Sequence, residues 1–242
     1  MARDVVLLHG FTHTGASWDP VVAALGERYR ALAPDIRGHG AAAAREPVTL
    51  EGVLDDLAAV APPRFTLVGY SMGGRLALHA ALAPALAARI ERLVLVGASP
   101  GLADRAEREA RRSADERVAG EVERMTIGQF AQRWAQTPVL AGQPPEVAAA
   151  VHADRLRNHP ASLARALRGL GTGALPSLWD RLGEIAVPVV LIVGERDAKF
   201  TAIASDVARA LADGEVVVVQ GAGHAVHLEA PRRVALLIKR AT

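Results

Sequence analysis

The chain has 242 residues, 50% of them hydrophobic and 22% charged, with 28 basic against 26 acidic side chains and a formal charge of only +2. That is globular composition, long enough for one domain with an insertion, and it gives no reason to expect nucleic acid or a charged membrane surface as a partner. Cysteine is absent, which excludes disulfides, thiolate chemistry and Cys-ligated metal. No apolar stretch approaches membrane-spanning length, and Val5-Val6-Leu7-Leu8 is too short for a signal-peptide core. The expectation is a cytoplasmic protein without a targeting segment.

Taken in chain order, short apolar runs bounded by Gly, Pro or Asp recur at residues 5–8, 29–33, 65–69, 93–96, 189–193 and 216–219. Each predicts a strand buried on both faces. Helical stretches are predicted between them at 20–25, 50–60, 73–83, 202–211 and 231–238. This alternation predicts a mostly parallel sheet flanked by helices. Residues 41–44, all Ala, are expected to be loop. From 101 to 183 no strand is expected; charged helical segments at 103–124 and 145–156 replace it. Such a length exceeds a loop, so residues 101–183 are predicted to form a helical cap on a core made of residues 1–100 and 184–242. The cap should lie over the C-terminal edge of the sheet, where ligands bind in folds of this kind.

The chemistry gathers at that edge. Gly69-Tyr70-Ser71-Met72-Gly73 follows one predicted strand and opens a helix, the context that makes G-x-S-x-G a nucleophile elbow rather than a Gly-rich turn. His9-Gly10-Phe11 follows the first strand, so the amides of Phe11 and Met72 are candidates for an oxyanion hole. Asp197 ends a late strand and His224 follows the last one. The order Ser, Asp, His is that of the α/β-hydrolase fold, which is the predicted class, with Ser71, Asp197 and His224 as its catalytic triad. A phosphate-binding P-loop and a dinucleotide fingerprint are both missing. His224 and His227 lack a third ligand in the pattern, so no metal is expected; His227 is read as a local hydrogen-bonding residue, and His79 as core or surface. His13 lies in the loop after the first strand, within reach of a pocket.

The chain also resembles one family in particular, the 2-succinyl-6-hydroxy-2,4-cyclohexadiene-1-carboxylate synthases of menaquinone biosynthesis. The likeness runs through Gly69-Tyr70-Ser71-Met72-Gly73-Gly74-Arg75, Ala98-Ser99-Pro100-Gly101-Leu102 and Glu107-Arg108-Glu109-Ala110-Arg111. It continues through Phe130, Trp134, Arg155-Leu156-Arg157-Asn158, Gly169-Leu170-Gly171-Thr172-Gly173 and Pro176-Ser177-Leu178-Trp179. It ends on Gly194-Glu195-Arg196-Asp197-Ala198-Lys199-Phe200 and Gly223-His224-Ala225-Val226-His227. The resemblance implies a lyase that uses the hydrolase triad, with Ser71 as general base, to eliminate pyruvate from a small anionic substrate with three carboxylates. It implies no cofactor. It also implies that Tyr70, Arg75, Arg111, Trp134 and Arg155 bind substrate.

Spacing supports one of these independently. Arg75 stands four residues after Ser71, on the same helix face, where a guanidinium suits a carboxylate substrate and is of no use to an apolar ester. The alternative for Arg75 is an ion pair with a cap carboxylate; for Arg111 and Arg155 it is a solvated helix face. Two departures from the family pattern are His13, where Gly is frequent, and Leu175, where many members have Gln. A serine carboxylesterase or carbon–carbon bond hydrolase, with Ser71 as nucleophile, is the rival enzyme reading, and a binding protein on the same fold is the non-enzymatic one.

Overall fold

Each apolar run becomes a strand because alternate residues are buried on opposite sides. The computed structural model describes residues 2–140 and 142–240. Its strands are β1 (Arg3–Leu8), β2 (Tyr29–Leu32), β3 (Phe65–Tyr70), β4 (Ile90–Val96), β5 (Val189–Gly194) and β6 (Gly214–Val219). Among the described residues they form one six-stranded sheet, all parallel, in the order β2-β1-β3-β4-β5-β6. Val6, Leu67, Leu95 and Leu191 point to one side, and Leu7, Val68, Val94 and Ile192 to the other.

Helices cover both sides. Leu57 of α2 (Leu50–Val60), Leu76 of α3 (Met72–Ala81), Leu86 of α4 (Pro84–Ala87) and Val207 of α9 (Ala198–Ala210) close the first. Val21 of α1 (Asp19–Leu25), Val226 of α10 (Val226–Glu229) and Ile238 of α11 (Pro231–Arg240) close the second. The chain steps outward from β1 to β2 and then builds the other way from β3. The loops after β1 and β3 therefore flank a switch point, the crevice where such sheets take their ligands.

Two expectations need correction. The edge strands β2 and β6 are not buried on both faces; Val218 of β6 is 40% exposed, because an edge strand has a neighbour on one side only. The alanines at 41–44 are not wholly loop, since Gly40–Ala42 makes a short 3-10 turn.

Between β4 and β5 run α5 (Arg105–Val122), α6 (Ile127–Ala135), α7 (Pro145–Arg155) and α8 (Pro160–Leu170). Asp104 caps α5 through the Glu107 amide, and Thr126 with Gln129 forms a capping box on α6. Arg168 of α8 ties to Glu116 of α5 and to Glu123 at its C-cap. Beneath these pairs, Ala119, Val122, Phe130, Leu163 and Leu167 form small apolar clusters that also receive Phe11 from the sheet side. The two ends of the insertion are clipped together: Leu178 N donates to Pro100 O at 2.9 Å, and Trp179 Nε1 to Gly101 O at 3.1 Å. Among the described residues no helix is long and apolar enough to cross a membrane.

Candidate active site

Ser71 sits at the tip of a strand-to-helix elbow with φ +51° and ψ −109°, a backbone conformation that side chains rarely adopt. Close packing holds it there. A Cβ on Gly69 would lie 2.4 Å from Gly73 O, and one on Gly73 would lie 2.2 Å from Leu8 O. The two motif glycines are thus required by backbone approach, not by their own dihedral angles. Ser71 N donates to Val96 O at 2.9 Å, which fixes the elbow to the end of β4.

The other two expected triad members converge on it. His224 Nε2 lies 3.2 Å from Ser71 Oγ, and His224 Nδ1 lies 2.6 Å from Asp197 Oδ2. Asp197 is held in turn as the N-cap of α9, its Oδ1 accepting from Phe200 N at 3.3 Å. With Nδ1–H donated to the carboxylate, Nε2 is free to accept the hydroxyl proton. Two residues that sequence reasoning missed shape the imidazole's seat. Gly97 follows β4 at φ +54°, and a Cβ there would stand 2.9 Å from His224 Cε1. Phe200 packs on the ring with centroids 4.5 Å apart. A Gly directly after a strand at the active edge was the available signal for the first.

The amides of Phe11 and Met72 donate to no described residue, and both residues line the same cavity as Ser71. Above them opens a cavity of about 920 Å³ between the sheet edge and the helical insertion. Phe11, Ser71, Met72, Arg75, Arg111, Trp134, Asp197 and His224 are all on its wall. Trp134 packs against Phe11 with centroids 5.1 Å apart.

Arg75 is 7% exposed and, among the described residues, makes no ion pair; its Nη2 donates to Leu170 O at 3.3 Å and its Nε has no partner among them. Burial, then the nearby Arg111, pushes its pKa down to about 10 against the opposing pull of Asp115. The alternative of a structural ion pair is therefore not realised. Arg111 does have one, to Asp115 at 2.8 Å, so its charge is partly neutralised. Arg196 and Lys199 also reach the wall, and neither was singled out from sequence.

Tyr70 and Arg155 do not line this cavity. Tyr70 is 2% exposed and its ring stacks on His227 at 4.2 Å; burial pushes its hydroxyl well above the ordinary phenol value. Arg155, 2% exposed, donates from Nε to Thr12 Oγ1 at 3.2 Å. His13 and Leu175, the two departures from the family pattern, are also off the wall: Leu175 is core, and His13 bonds Asp154 of α7 at 3.2 Å. His227 is not a local hydrogen-bonding residue. Neither ring nitrogen has a partner among the described residues, and the ring lies between Trp18 and Tyr70. His79 is buried in α3, away from the cavity, with its pKa lowered to about 4 by burial and by Arg75.

A second cavity of about 470 Å³ lies beside the loop that follows β2, but its cations are paired, Arg37 and Arg45 with Asp56 and Arg157 with Asp154. Among the described residues no group of three or more His, Asp or Glu side chains is placed to hold a metal ion.

Comparison with known proteins agrees with this architecture. The alpha/beta hydrolase family model matches residues 5–236. A Bacillus subtilis (strain 168) protein provisionally named 2-succinyl-6-hydroxy-2,4-cyclohexadiene-1-carboxylate synthase is 37% identical, over 94% of this chain and 86% of its own length. The synthase of that name from Salmonella paratyphi C (strain RKS4594) is 35% identical, over 96% of this chain and 91% of its own. The solved structure of MenH from S. aureus superposes with a TM-score of 0.92 at 29% identity, over 98% of this chain and 92% of that one. The chain therefore belongs to the alpha/beta hydrolase family and, within it, to the family of the 2-succinyl-6-hydroxy-2,4-cyclohexadiene-1-carboxylate synthases.

Proposed function

We propose that this protein eliminates pyruvate from 2-succinyl-5-enolpyruvyl-6-hydroxy-3-cyclohexene-1-carboxylate, giving 2-succinyl-6-hydroxy-2,4-cyclohexadiene-1-carboxylate in menaquinone biosynthesis. The observation that carries this reading is Arg75, a buried guanidinium on the cavity wall with Ser71 that has no carboxylate partner among the described residues. A neutral ester gives such a cation nothing to bind, whereas a substrate carboxylate gives it a bidentate partner.

In this mechanism His224, oriented by Asp197, takes the Ser71 hydroxyl proton, and the alkoxide removes the ring proton next to the succinyl carbonyl. The carbonyl oxygen becomes an enolate held by the Phe11 and Met72 amides at the start of α3. As the carbonyl re-forms, electrons move through the ring double bond and break the carbon–oxygen bond to the enolpyruvyl group. The product is a conjugated diene. His224 returns its proton to the departing enolate, which becomes pyruvate. The carbanion expels its leaving group unaided, so no cofactor enters. Residues 101–183 act as a cap that completes the pocket, with Arg111 and Trp134 as further substrate contacts. Tyr70 and Arg155 support the pocket from behind its wall.

The test is pyruvate release from the enolpyruvyl acid, followed by ultraviolet absorbance, beside hydrolysis of a p-nitrophenyl ester panel. Fast pyruvate release with slow ester cleavage is expected. Fast ester turnover without pyruvate would make the protein a serine hydrolase instead.

A further inference from the structure

The loop after β1 carries the Phe11 amide, and it does not hold its own shape. Thr12 has φ +69°, a left-handed conformation that is costly for a β-branched residue. Within the loop the backbone supplies one closing bond, His13 N to Gly10 O at 3.2 Å. Thr14 O is met locally by Ser17, from N at 3.1 Å, and Thr14 Oγ1 by Ala16 N at 3.3 Å, but the remaining hydrogen bonds of residues 12–14 among the described residues come from the helical insertion.

Asp154, in the last turn of α7, takes three donors. Thr14 N reaches Oδ2 at 3.0 Å, His13 Nδ1 reaches the same oxygen at 3.2 Å, and the Thr14 hydroxyl reaches Oδ1. Asn158, just beyond α7, donates to Thr12 O at 2.8 Å and accepts from Gly40 N at 3.1 Å. Asp154 and Asn158 are buried, at 8% and 6% exposure, and neither lines the substrate cavity. Burial pushes the Asp154 carboxyl up, but the hydrogen bonds from His13 and Thr14 outweigh it and leave the carboxylate favoured. His13 adds the third donor.

We propose that Asp154 and Asn158 are positioning residues that set the Phe11 amide over Ser71, so that the insertion controls the rate of the chemical step and not only the shape of the pocket. This rests on Phe11 acting as an oxyanion donor. An oxyanion donor works only near 3 Å from the charge that develops, and a slack loop loses that placement while the substrate's carboxylate contacts survive.

The test is a kinetic split on both substrate types. Asp154→Ala is expected to lower kcat for pyruvate release, and for p-nitrophenyl acetate hydrolysis, by roughly 10- to 100-fold. KM for the enolpyruvyl acid should stay within about two-fold, since that contact set is untouched. Asp154→Asn, which keeps one acceptor oxygen, should fall between. Inhibition by phenylboronic acid, whose Ser71 adduct places an oxygen against the same amides, should weaken in step with kcat. If Asp154→Ala does not fold, Thr14→Val removes the hydroxyl donor to Asp154, and with it the acceptor for Ala16 N, while Thr14→Ser restores both and the rate. An unchanged kcat with a lower melting temperature, or a raised KM with kcat intact, would overturn the proposal. Wild-type protein that cleaves the ester but releases no pyruvate would overturn the lyase reading alone, because the ester series still reads the loop.

Discussion

Replacing Arg75 with Met separates what the guanidinium costs the fold from what it gives the reaction. The side chain is a cation in folded and unfolded chains alike at neutral pH. Its folded-state pKa nevertheless drops to about 10, mainly through burial. That displacement corresponds to about 3 kcal/mol of destabilisation, an upper figure for a group that borders an open cavity. Met fills similar volume without the charge. It forfeits the hydrogen bond to Leu170 O, worth about 1 kcal/mol. The net expectation is a gain of roughly 1–2 kcal/mol, or about 2–8 °C in melting temperature for a chain of this size. The same substitution should cut kcat/KM on the enolpyruvyl acid by roughly 10- to 150-fold, the loss of one charge-assisted hydrogen bond. Hydrolysis of a neutral ester should hardly change. Thermal melting and steady-state kinetics on both substrates read the two effects in one preparation. A variant that melts earlier and loses both activities equally would show that Arg75 is a structural residue, and the tricarboxylate reading would lose its main support.

Ser71→Ala should lower turnover by on the order of 10³-fold or more while the protein still melts cooperatively; near-normal turnover would move the active site elsewhere. Gly97→Ala adds a Cβ 2.9 Å from His224 Cε1 at a positive φ, so it should displace the imidazole and reduce kcat by at least about 10-fold with KM little changed. A normal kcat in that variant would mean the ring has room that the structure does not show. His9 and His39 are buried, with pKa values lowered to about 4 and about 3, His9 by burial first and His39 by burial and then His9. For a lowered pKa the unfolded chain binds the extra proton. The stability is therefore complete above the ordinary His value of 6.5 and is lost as pH falls toward the folded values. His9 alone should cost about 2 kcal/mol by about pH 5. Urea titrations at pH 7 and 5 measure it, and a flat result would refute the neutral buried assignment.

The strands and the convergence of Ser71, Asp197 and His224 were legible because each depends on local signals. An apolar run predicts a strand, and Ser71, Asp197 and His224 each follow one directly. The misreadings involve information that no short window contains. Nothing local marks β6 as an edge strand, and its Val-rich run looks the same as that of β5. Arg75 could be placed by helical spacing from Ser71, but Arg155 could not, because its side chain turns toward Thr12 from an element remote in sequence. His227 carries two polar nitrogens, yet it serves as a flat ring between Trp18 and Tyr70. Asp154 precedes and Asn158 closes a motif of the family resemblance, neither singled out within it. Their meaning depends on the loop more than a hundred residues earlier that they bind.

The clip between Pro100 O and Leu178 N has a consequence for how such a protein diversifies. However many helices it contains, a segment whose two ends stand one hydrogen bond apart is, to the sheet, a single excursion. A lineage can trade the whole roof for a longer, shorter or differently charged one without moving a strand. Ser71, Asp197 and His224 all hang from strands outside the exchange. The ties from Asp154 and Asn158 to residues 12–14 cross that seam. A transplanted roof that lacks them would bring a new ligand preference but leave the loop beneath it unset. Acquiring a substrate is then one evolutionary event, and recovering speed on it is a second.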